Sequence, residues 1–468
     1  MRFKVTASII AVLLILSGPA DVIGQSDDDV LPVYVVQPGE NLTQIAEKFN
    51  IAVNDLILVN GITDSNLISA GTELFLPGFQ GISGRLASRP VAFGENLSII
   101  LRESQLSQEN FLRLNDIISP SQLYIGSNIV LPDIQNAPFN NSRLVKEEES
   151  NLLVAVKNNI NPWYLSRTNF QYPSEVFPGD VLYFQSDLVE QLTSIVSENI
   201  SQIEIIPLPA VQGQTFVVHA YAKMKVDLEG TLDGKPLLFY FNEPENYYYA
   251  LSGLHALSEP GLKTLTFSGN FENGDSFSVE QTILMVSGGY RQEELSVEQT
   301  TIAQEIVRNE ELQVQEILRT SDQQKLWQSP FRFPVDGSLE DGTIGFTSTF
   351  GSRRSYNQGQ YQGYHGGLDF EVRVMSFNVY APAAGRVAYT GTMDVRGNTI
   401  FIDHGQGVFS GYAHLREIFV NTGDIVEPGQ LIGEIGNTGR VTGPHLHWDI
   451  FINGIPVDPL NWVNNIYP

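Results

Sequence analysis

Near the C-terminus stands the stretch Pro444-His445-Leu446-His447-Trp448-Asp449-Ile450-Phe451-Ile452. The apolar residues from Leu446 onward predict a β-strand, and the side chains of a strand alternate between its two faces. His445 and His447 therefore point to the same face, as two metal ligands would. Two histidines on one strand face also fit simple core packing, so this stretch alone does not decide between the two readings.

Two further histidine patterns favour the metal site. One is His365-Gly-Gly-Leu-Asp369, in which the glycines let the backbone bend so that both side chains reach one point. The other is Tyr412-Ala-His414-Leu. Imidazole nitrogen and carboxylate oxygen are natural ligands of a catalytic Zn²⁺, which keeps one position open for water. The three patterns together predict a zinc centre, because a set of motifs in order is more specific than any member alone.

The chemistry of such a centre suits the remaining histidines. Hydrolysis of an amide needs an acceptor for the proton of water and a donor for the developing oxyanion. Two histidines beside the metal can supply both roles, and the sequence does not say which takes which. We expect a structural or rim role for His404. Tyr361 and Tyr364 precede the first motif, where a wall position is favoured over donation to the oxyanion.

The motif set resembles the lysostaphin-like (LytM-type) zinc metalloendopeptidases, bacterial enzymes that hydrolyse peptide bonds in peptidoglycan cross-links. The resemblance runs from about Phe331 to Asp458 and includes further glycine-rich stretches. It implies that one Zn²⁺ is held by His365, Asp369 and His447, and that His414 and His445 are the catalytic pair. It also implies a mainly antiparallel β catalytic domain over 331–468, a duplicated hybrid motif like biotinyl/lipoyl barrels, with the zinc at the floor of a groove.

An internal repeat organises the N-terminal part. Gly39-Glu-Asn-Leu42 recurs as Gly94-Glu-Asn-Leu97, and Asn60 recurs as Asn115 at the same offset. Each unit predicts a strand, two helices and a strand. The pattern resembles the LysM module, a βααβ unit that binds N-acetylglucosamine-containing glycans. We expect copies over 33–78 and 86–133, and a degenerate third over 144–186 that keeps Asn151-Leu152 and Asn169. Glu147-Glu-Glu149 should disturb its entry.

Between these parts the pattern changes twice. Alternating apolar runs separated by turn signals predict a small β-sandwich of immunoglobulin-like type over 200–290. Within it, core or edge packing of Tyr247-Tyr-Tyr249 is favoured over a sugar-stacking surface. Residues 292–328, poor in glycine and proline, predict one or two amphipathic linker helices. Those helices could pack on a neighbour, cover the groove, or act as a spacer, and the spacer is the favoured interpretation.

The N-terminus and the composition set the compartment. A basic start, an apolar run and small residues predict a secretory signal peptide over 1–24. The chain has no cysteine, which excludes disulfides and lipid modification of cysteine, and no later run predicts a stable membrane anchor. The 27 basic and 53 acidic residues give a net charge of −26, which argues against nucleic acid and anionic membranes as partners.

These patterns predict a multidomain, secreted, cell-wall-associated zinc endopeptidase that LysM modules hold on peptidoglycan. The expected partners are glycan containing N-acetylglucosamine and the stem and cross-link peptides. Two rivals remain. One is a catalytically silent regulator of other wall hydrolases, as degenerate members of the family are. The other is a glycan-binding structural protein whose zinc domain acts on proteins or on nothing. The sequence does not specify the scissile bond, because loops on the groove rim decide it.

Overall fold

The computed structural model describes residues 31–64, 68–133, 139–169, 176–185, 196–296, 303–359, 361–371 and 376–468. The predicted signal peptide lies outside these residues. The described chain is multidomain and mostly β, with few helices. It divides into two compact units, residues 1–87 and 88–468. None of the helices in the described ranges combines the length and the apolar character needed to cross a membrane.

Three strand–helix–helix–strand units occupy the N-terminal part. Their elements are β1 (Val33–Val35), α1 (Leu42–Lys48), α2 (Val53–Asn60), β2 (Glu73–Phe75), β3 (Arg85–Pro90), α3 (Leu97–Ser104), α4 (Gln108–Leu114), β4 (Asn128–Pro132), β5 (Asn141–Leu144), α5 (Asn151–Lys157), α6 (Pro162–Asn169) and β6 (Val181–Phe184). A short 3₁₀ turn precedes β4 at Pro120–Gln122.

The middle of the chain is built of strands. They are β7 (Ile200–Ile206), β8 (Ala210–Val211), β9 (Thr215–Ala222), β10 (Val226–Leu232), β11 (Lys235–Pro236), β12 (Phe239–Asn242), β13 (Tyr247–Gly253), β14 (Gly261–Phe271), β15 (Ser276–Val286) and β16 (Gln292–Leu295). One helix follows, α7 (Gln304–Ile317).

The C-terminal part is again mainly strands, closed by one helix. The elements are β17 (Phe346–Ser348), β18 (Arg353–Tyr356), β19 (Tyr361–Tyr364), β20 (Leu368–Glu371), β21 (Asn378–Tyr380), β22 (Gly385–Met393), β23 (Gly397–Gly405), β24 (Val408–Ile418), β25 (Ile425–Val426), β26 (Leu431–Ile435), β27 (His445–Ile452), β28 (Ile455–Val457) and α8 (Pro459–Asn464).

One asparagine in each N-terminal unit ties the second helix to the last strand. The Asn60 side chain bonds both the backbone N–H and the carbonyl of Phe75. Asn115 does the same to Val130, and Asn169 to Tyr183. In each unit this side chain satisfies the N–H and the carbonyl of one strand residue at once, and in the third unit, where these groups are buried, leaving them unpaired would be costly. This role accounts for the recurrence of asparagine in all three units.

A glutamate at the entry of each unit also has one repeated role. Glu40 and Glu95 each accept a hydrogen bond from a backbone N–H three residues earlier, and Glu149 accepts one from Lys146 in the same way. The prediction that Glu147-Glu-Glu149 disturbs the third unit is therefore wrong. Ser150, not Asn151, then caps α5, as the asparagine after the glutamate caps α1 and α3.

Two sheets face each other in the middle of the chain. One has the order β11-β10-β14-β15-β8 and the other β12-β13-β9-β7. Apolar side chains from both, including Phe216, Val218 and Phe267, form one buried core between them. Tyr247 and Tyr249 are buried, which confirms core packing over a sugar-stacking surface.

The outer face of the second sheet packs on the C-terminal part, which sets its place beside the functional site. Val217, Tyr249 and Leu251 belong to the same buried cluster as the core of the C-terminal sheet. Polar contacts reinforce this interface: the Tyr249 hydroxyl donates to Gln406 at 2.6 Å, and the Trp462 indole N–H donates to Thr215 at 2.9 Å. The middle strands are thus packed on the C-terminal part rather than extended as a free spacer.

The linker forms one helix in its described residues, and its start departs from the prediction. Gln292–Leu295 is a strand that pairs in parallel with Arg353–Tyr356. Helix α7 packs Val314 and Leu318 against Phe401, Phe409 and other apolar side chains of the C-terminal sheet. Docking on a neighbour, one of the alternatives left open by the sequence, is therefore the arrangement found.

The C-terminal sheet has ten strands in the described chain, and its central path is β17-β20-β27-β24-β23-β22-β25. Its strand pairings within the described residues are antiparallel, as predicted. β27, the strand that carries the two histidines, lies between β20 and β24. Because these neighbours carry Asp369 and His414, the sheet itself gathers the candidate residues.

Candidate metal centre

Adjacent strands place two of the predicted ligands side by side. Asp369 on β20 is the direct cross-strand partner of His447 on β27. His365 precedes β20 and turns back toward them. Gly367 makes this approach feasible, because a Cβ at that position would lie 2.2 Å from the carbonyl oxygen of Trp448. The close approach of the Trp448 carbonyl, rather than an unusual backbone conformation, therefore explains why position 367 is a glycine.

His365, Asp369 and His447 converge on one point. Asp369 Oδ1 lies 2.8 Å from His365 Nε2 and 2.8 Å from His447 Nδ1, and the two nitrogens are 2.9 Å apart. All three residues are buried, and together they form a group that could hold a metal ion. Their side chains supply two nitrogens and one oxygen, a donor set typical of catalytic zinc sites with an open fourth position.

The hydrogen bonds on the far side of each imidazole test whether a cation fits. His365 Nδ1 lies 3.0 Å from the Thr349 carbonyl oxygen, which can only accept, so the proton sits on Nδ1. His447 Nε2 lies 2.7 Å from Asp449 Oδ1, so its proton sits on Nε2. The unprotonated nitrogens then face each other and a carboxylate. Three lone pairs aimed at one point repel unless a cation or a proton lies between them.

The electrostatics of the ligands agree with this geometry. Burial disfavours the charge of His447, yet the Asp449 and Asp369 carboxylates outweigh it and raise the pKa to about 9. Burial opposes the charge of Asp369 as well, but His365 and His447 hold its pKa well below the usual range. The cluster therefore attracts positive charge, which a metal ion would satisfy in place of the proton.

His414 and His445, the predicted catalytic pair, lie beside this cluster, and their ring centroids are 4.8 Å apart. His414 Nδ1 donates to the Thr438 carbonyl at 2.9 Å, and His445 Nδ1 donates to the Gly443 carbonyl at 2.8 Å. In the neutral tautomer each Nε2 is thus an acceptor. Burial, with smaller contributions from the neighbouring histidines, lowers the pKa of His414 well below its usual value.

The backbone of His414 is held in a rare conformation. Its φ is +65°, in the left-handed region that residues with a side chain seldom adopt. Its N–H donates to the Arg396 carbonyl at 2.8 Å, which fixes the conformation. Strain of this kind persists where the surroundings determine it, and it clusters at functional sites.

Three charged residues beside the ligands were missed at the level of sequence. Asp449 orients His447, and the Arg396 guanidinium contacts the other oxygen of Asp449. Arg354 Nη2 donates to Asp369 Oδ2 at 2.8 Å. Asp449 had a local signal, since it lies two residues beyond His447 on one strand face. The arginines had none, because only the fold brings them to the site.

A cavity of about 1480 Å³ contains all five histidine and aspartate residues of the predicted site. The middle sheets contribute His255 to its wall, and the linker contributes residues of β16 and one face of α7. The Leu257 N–H donates to His255 Nδ1, so His255 Nε2 carries the proton and donates to the Tyr364 hydroxyl, 3.1 Å away. Tyr364 is therefore a wall residue, and the Tyr361 side chain lies outside the described part.

His404 has the structural role that the sequence favoured. It is fully buried, its Nδ1 donates to the Ala384 carbonyl at 2.7 Å, and its Nε2 accepts from the Ser410 hydroxyl at 2.8 Å. Its ring packs beside Phe331, with centroids 4.8 Å apart. Burial lowers the pKa of His404 from 6.5 to about 4.

His404 gives the fold a pH dependence that can be measured. The folded protein keeps this ring neutral to about pH 4, whereas the unfolded chain takes up a proton below about 6.5. Stability therefore falls as the pH drops through that window, by roughly 2 kcal/mol between pH 6.5 and 5. Urea unfolding of the metal-free protein at pH 7 and 5 should show this loss, and His404→Gln should reduce it. Equal losses in both proteins would contradict the assignment.

Comparison with known families bears directly on this site. Residues 363–459, which include every candidate ligand and both further histidines, match the model of peptidase family M23. Residues 34–77 and 91–132 match the LysM domain. These ranges agree with the resemblances drawn from the motifs and from the first two repeats.

Several of the similar proteins are named as bacterial peptidases. The chain is 37% identical over 129 residues to peptidoglycan DD-endopeptidase ShyA of Vibrio cholerae, which covers 28% of this chain and 29% of that protein. It is 40% identical over 97 residues to DD-carboxypeptidase/endopeptidase Mpg of Neisseria meningitidis, covering 21% and 22%. Among solved structures, the catalytic domain of lysostaphin from Staphylococcus simulans is 30% identical and covers 27% of this chain and 96% of that one, with a TM-score of 0.23. The chain thus spans under a third of the length of these curated relatives.

Proposed function

We propose that this chain, which carries a peptidase family M23 domain preceded by two LysM domains, is a zinc-dependent peptidoglycan endopeptidase held on the cell wall. The observation that carries the proposal is the convergence of three lone pairs, from His365, Asp369 and His447, in a cavity shared with two proton-accepting histidines. A site of that kind suits amide hydrolysis, and the LysM domains suit a glycan-bound substrate.

His365, Asp369 and His447 would hold the zinc. When bound, this ion lowers the pKa of a water toward ~7 and polarises a peptide carbonyl. The outer partners of the ligands keep the donor atoms in place: the Thr349 carbonyl fixes the tautomer of His365, and Asp449 fixes that of His447. Such partners orient metal ligands and raise their basicity.

His414 and His445 would handle the protons. Each presents Nε2 as an acceptor, because its Nδ1 proton is committed to a backbone carbonyl. One ring takes the proton of the attacking water, and a protonated ring then donates to the oxyanion or to the leaving amine. Nothing in the contacts of the two rings assigns one role to one residue, so we propose them as a pair.

The relatives suggest the bond. ShyA is named as a DD-endopeptidase and Mpg as a DD-carboxypeptidase/endopeptidase, and we propose that this chain likewise cuts the bond between two D-configured residues of a cross-link. The volume of the cavity, about 1480 Å³, suits a peptide substrate.

The finer parts of the architecture belong to the same proposal. We interpret the two facing sheets over 200–290 as an immunoglobulin-like sandwich and the C-terminal sheet as a biotinyl/lipoyl-like hybrid barrel. We interpret residues 144–186 as a third, degenerate LysM unit. Export through the predicted signal peptide is part of the proposal, because the substrate lies outside the cytoplasm.

One assay tests the function and separates the rivals. The purified protein is measured for zinc by elemental analysis and incubated with sacculi, and the released muropeptides are identified by chromatography and mass spectrometry. Cleavage of D,D cross-linked dimers with one zinc per chain supports the proposal. Zinc without any hydrolysis favours the silent regulator. Hydrolysis of proteins instead of muropeptides favours the glycan-binding structural protein whose zinc domain acts on proteins.

The LysM domains should supply localisation rather than chemistry. Residues 33–78 lie within the first compact unit, residues 1–87, whereas every residue of the candidate metal centre lies in the second. Since linked weak modules raise avidity through effective concentration, we expect deletion of residues 33–78 to weaken sedimentation with sacculi by roughly 10²-fold. Cleavage of a small soluble muropeptide should stay unchanged. Undiminished sedimentation would contradict this role.

The second LysM domain is a poorer target for deletion. Phe93 and Ile125 belong to the buried core of the middle sheets, and the Gln281 side chain accepts from the Gly94 N–H at 2.6 Å. Removing residues 86–133 would uncover that core. A loss of activity in such a deletion would therefore report damage to the enzyme body, not a lack of glycan binding.

A further inference from the structure

Two carboxylates of the linker contact residues that hold the candidate metal ligands in place. Glu293 is on β16 and Glu310 is on α7, and both line the cavity. The proposed mechanism uses neither. The linker was expected to be a spacer or a cover for the groove, yet these side chains point at residues that hold the ligands.

Glu310 fixes the turn that contains Arg396. Its side chain is 8% exposed, and its two oxygens accept hydrogen bonds from the backbone N–H groups of Val395 and Arg396, the latter at 3.1 Å. Because both N–H groups bond the same carboxylate, Glu310 restrains the backbone of this turn. Charge-assisted hydrogen bonds of this kind are about twice as strong as neutral ones.

Arg396 connects that turn to both halves of the site. Its guanidinium contacts Asp449, which holds the proton-bearing nitrogen of His447 at 2.7 Å. Its carbonyl oxygen accepts from the N–H of His414, the residue with the left-handed backbone. Glu310 therefore positions Arg396. Arg396 in turn sets the orientation of His447, through Asp449, and of His414.

Glu293 supports Asp369, another candidate ligand, through an arginine in the same way. Its Oε2 lies 3.3 Å from Arg354 Nε, and Arg354 donates to Asp369 Oδ2 at 2.8 Å. Glu293 and Arg354 are direct partners in the β16–β18 pair, so the strand register places them together. The Ser348 hydroxyl holds the same carboxylate at 2.9 Å.

We propose that Glu310 and Glu293 are positioning residues of the metal centre, so that the linker completes the active site of the enzyme body. The inference rests on the proposed function, in which His365, Asp369 and His447 bind zinc. It goes beyond that function because it assigns the linker, outside the residues that match family M23, a part in metal binding and turnover.

The plain alternative is that α7 is only a packed helix. Its apolar contacts lie on Val314 and Leu318, one or two turns beyond Glu310. Those contacts should keep the helix docked when Glu310 loses its charge. A substitution at Glu310 therefore separates positioning from docking, which truncation of the linker would not do.

The experiment uses the full chain with Glu310→Gln, Glu293→Gln and, as a matched control, Glu305→Gln. Glu305 is an exposed glutamate on the same helix, so its substitution makes the same change in charge. Zinc affinity is measured by competition with a chromophoric chelator, and the ligand geometry by the visible spectrum of the Co²⁺ form. Circular dichroism and thermal melting monitor folding.

The expected result is a roughly tenfold loss of zinc affinity in Glu310→Gln, within the range seen for outer partners of metal ligands. Its Co²⁺ spectrum should change, and kcat on a soluble muropeptide should fall. Glu293→Gln should show a smaller loss, since its carboxylate is more exposed. Glu305→Gln should match the wild type throughout.

Wild-type affinity and spectrum in Glu310→Gln would overturn the proposal. If Glu310→Gln fails to fold, Glu293→Gln decides, and wild-type affinity there overturns it equally. The metal measurements need no substrate, so they do not depend on the assigned activity. A wild-type chain that binds zinc but leaves sacculi intact would instead contradict the proposed function.

Discussion

Replacing His365 or His447 by alanine should leave a protein without stoichiometric zinc and with hydrolysis at the background of the assay. Each substitution removes one of three converging donors, and the two that remain cannot form the site. Without the ion, the pKa of water rises far above neutral pH, so the nucleophile is lost. Elemental analysis and muropeptide release measure the two effects on the same sample.

Asp369 needs a gentler substitution. Alanine there would take from the buried Arg354 the shorter of its two ion pairs and leave only Glu293 at 3.3 Å, and weakening a buried ion pair is destabilising by itself. Asp369→Asn keeps the shape and removes the charge, so its loss of zinc reports coordination rather than folding. His219→Gln in the middle sheets is the matched control and should keep both zinc and activity. Turnover at the wild-type rate in any ligand variant would refute the assignment of the site.

The strands of the fold were predictable where alternation is strong. Thr215–Ala222 and Ser276–Val286, both within the predicted β-sandwich, are strands in the structure. Val226–Leu232 is also a strand, with Val226 buried and Asp227 exposed as the alternation of a strand requires. Gln292–Leu295 is rich in residues that favour helices, and pairing with β18 overrides that weak preference.

The candidate site was predictable where its parts are local in the chain. The His-x-His pattern gave two side chains on one face, and the His-x-x-x-Asp pattern gave two that meet. The same alternation places Asp449 on that face, a signal that the motif search passed over. Glu310 and Arg396 are 86 residues apart in the sequence and meet only through the fold, so no spacing rule could have joined them.

The entry of the third N-terminal unit shows a different limit. Matching Asn151 to the capping asparagines of the first two units gave a register one residue too late. The glutamate is the better guide, because its side chain bonds a specific backbone N–H and so fixes its place in the turn. Aligning a repeat on the residue with the stricter geometry would have given Ser150 as the cap.

His414 and His445 should show the opposite pattern to the ligands: zinc retained, turnover lost. The three converging donor atoms belong to other residues, His365, Asp369 and His447. The rings of His414 and His445 line the same cavity, and each has Nε2 as its acceptor. Removing a general acid or base costs typically 10²–10⁴-fold in rate, and we expect kcat to fall within that range for each. KM should change little, because the rings act on protons rather than on the substrate backbone.

The choice of variant matters most at His414. Its φ of +65° is costly for alanine but tolerable for asparagine, so His414→Asn removes the imidazole without adding a backbone penalty. His445 lies in an ordinary strand, where His445→Ala suffices. Zinc near one per chain together with the loss of turnover supports proton handling. Loss of zinc in either variant would mean that the ligand and catalytic roles are exchanged, and undiminished turnover in both would leave the water without an identified base.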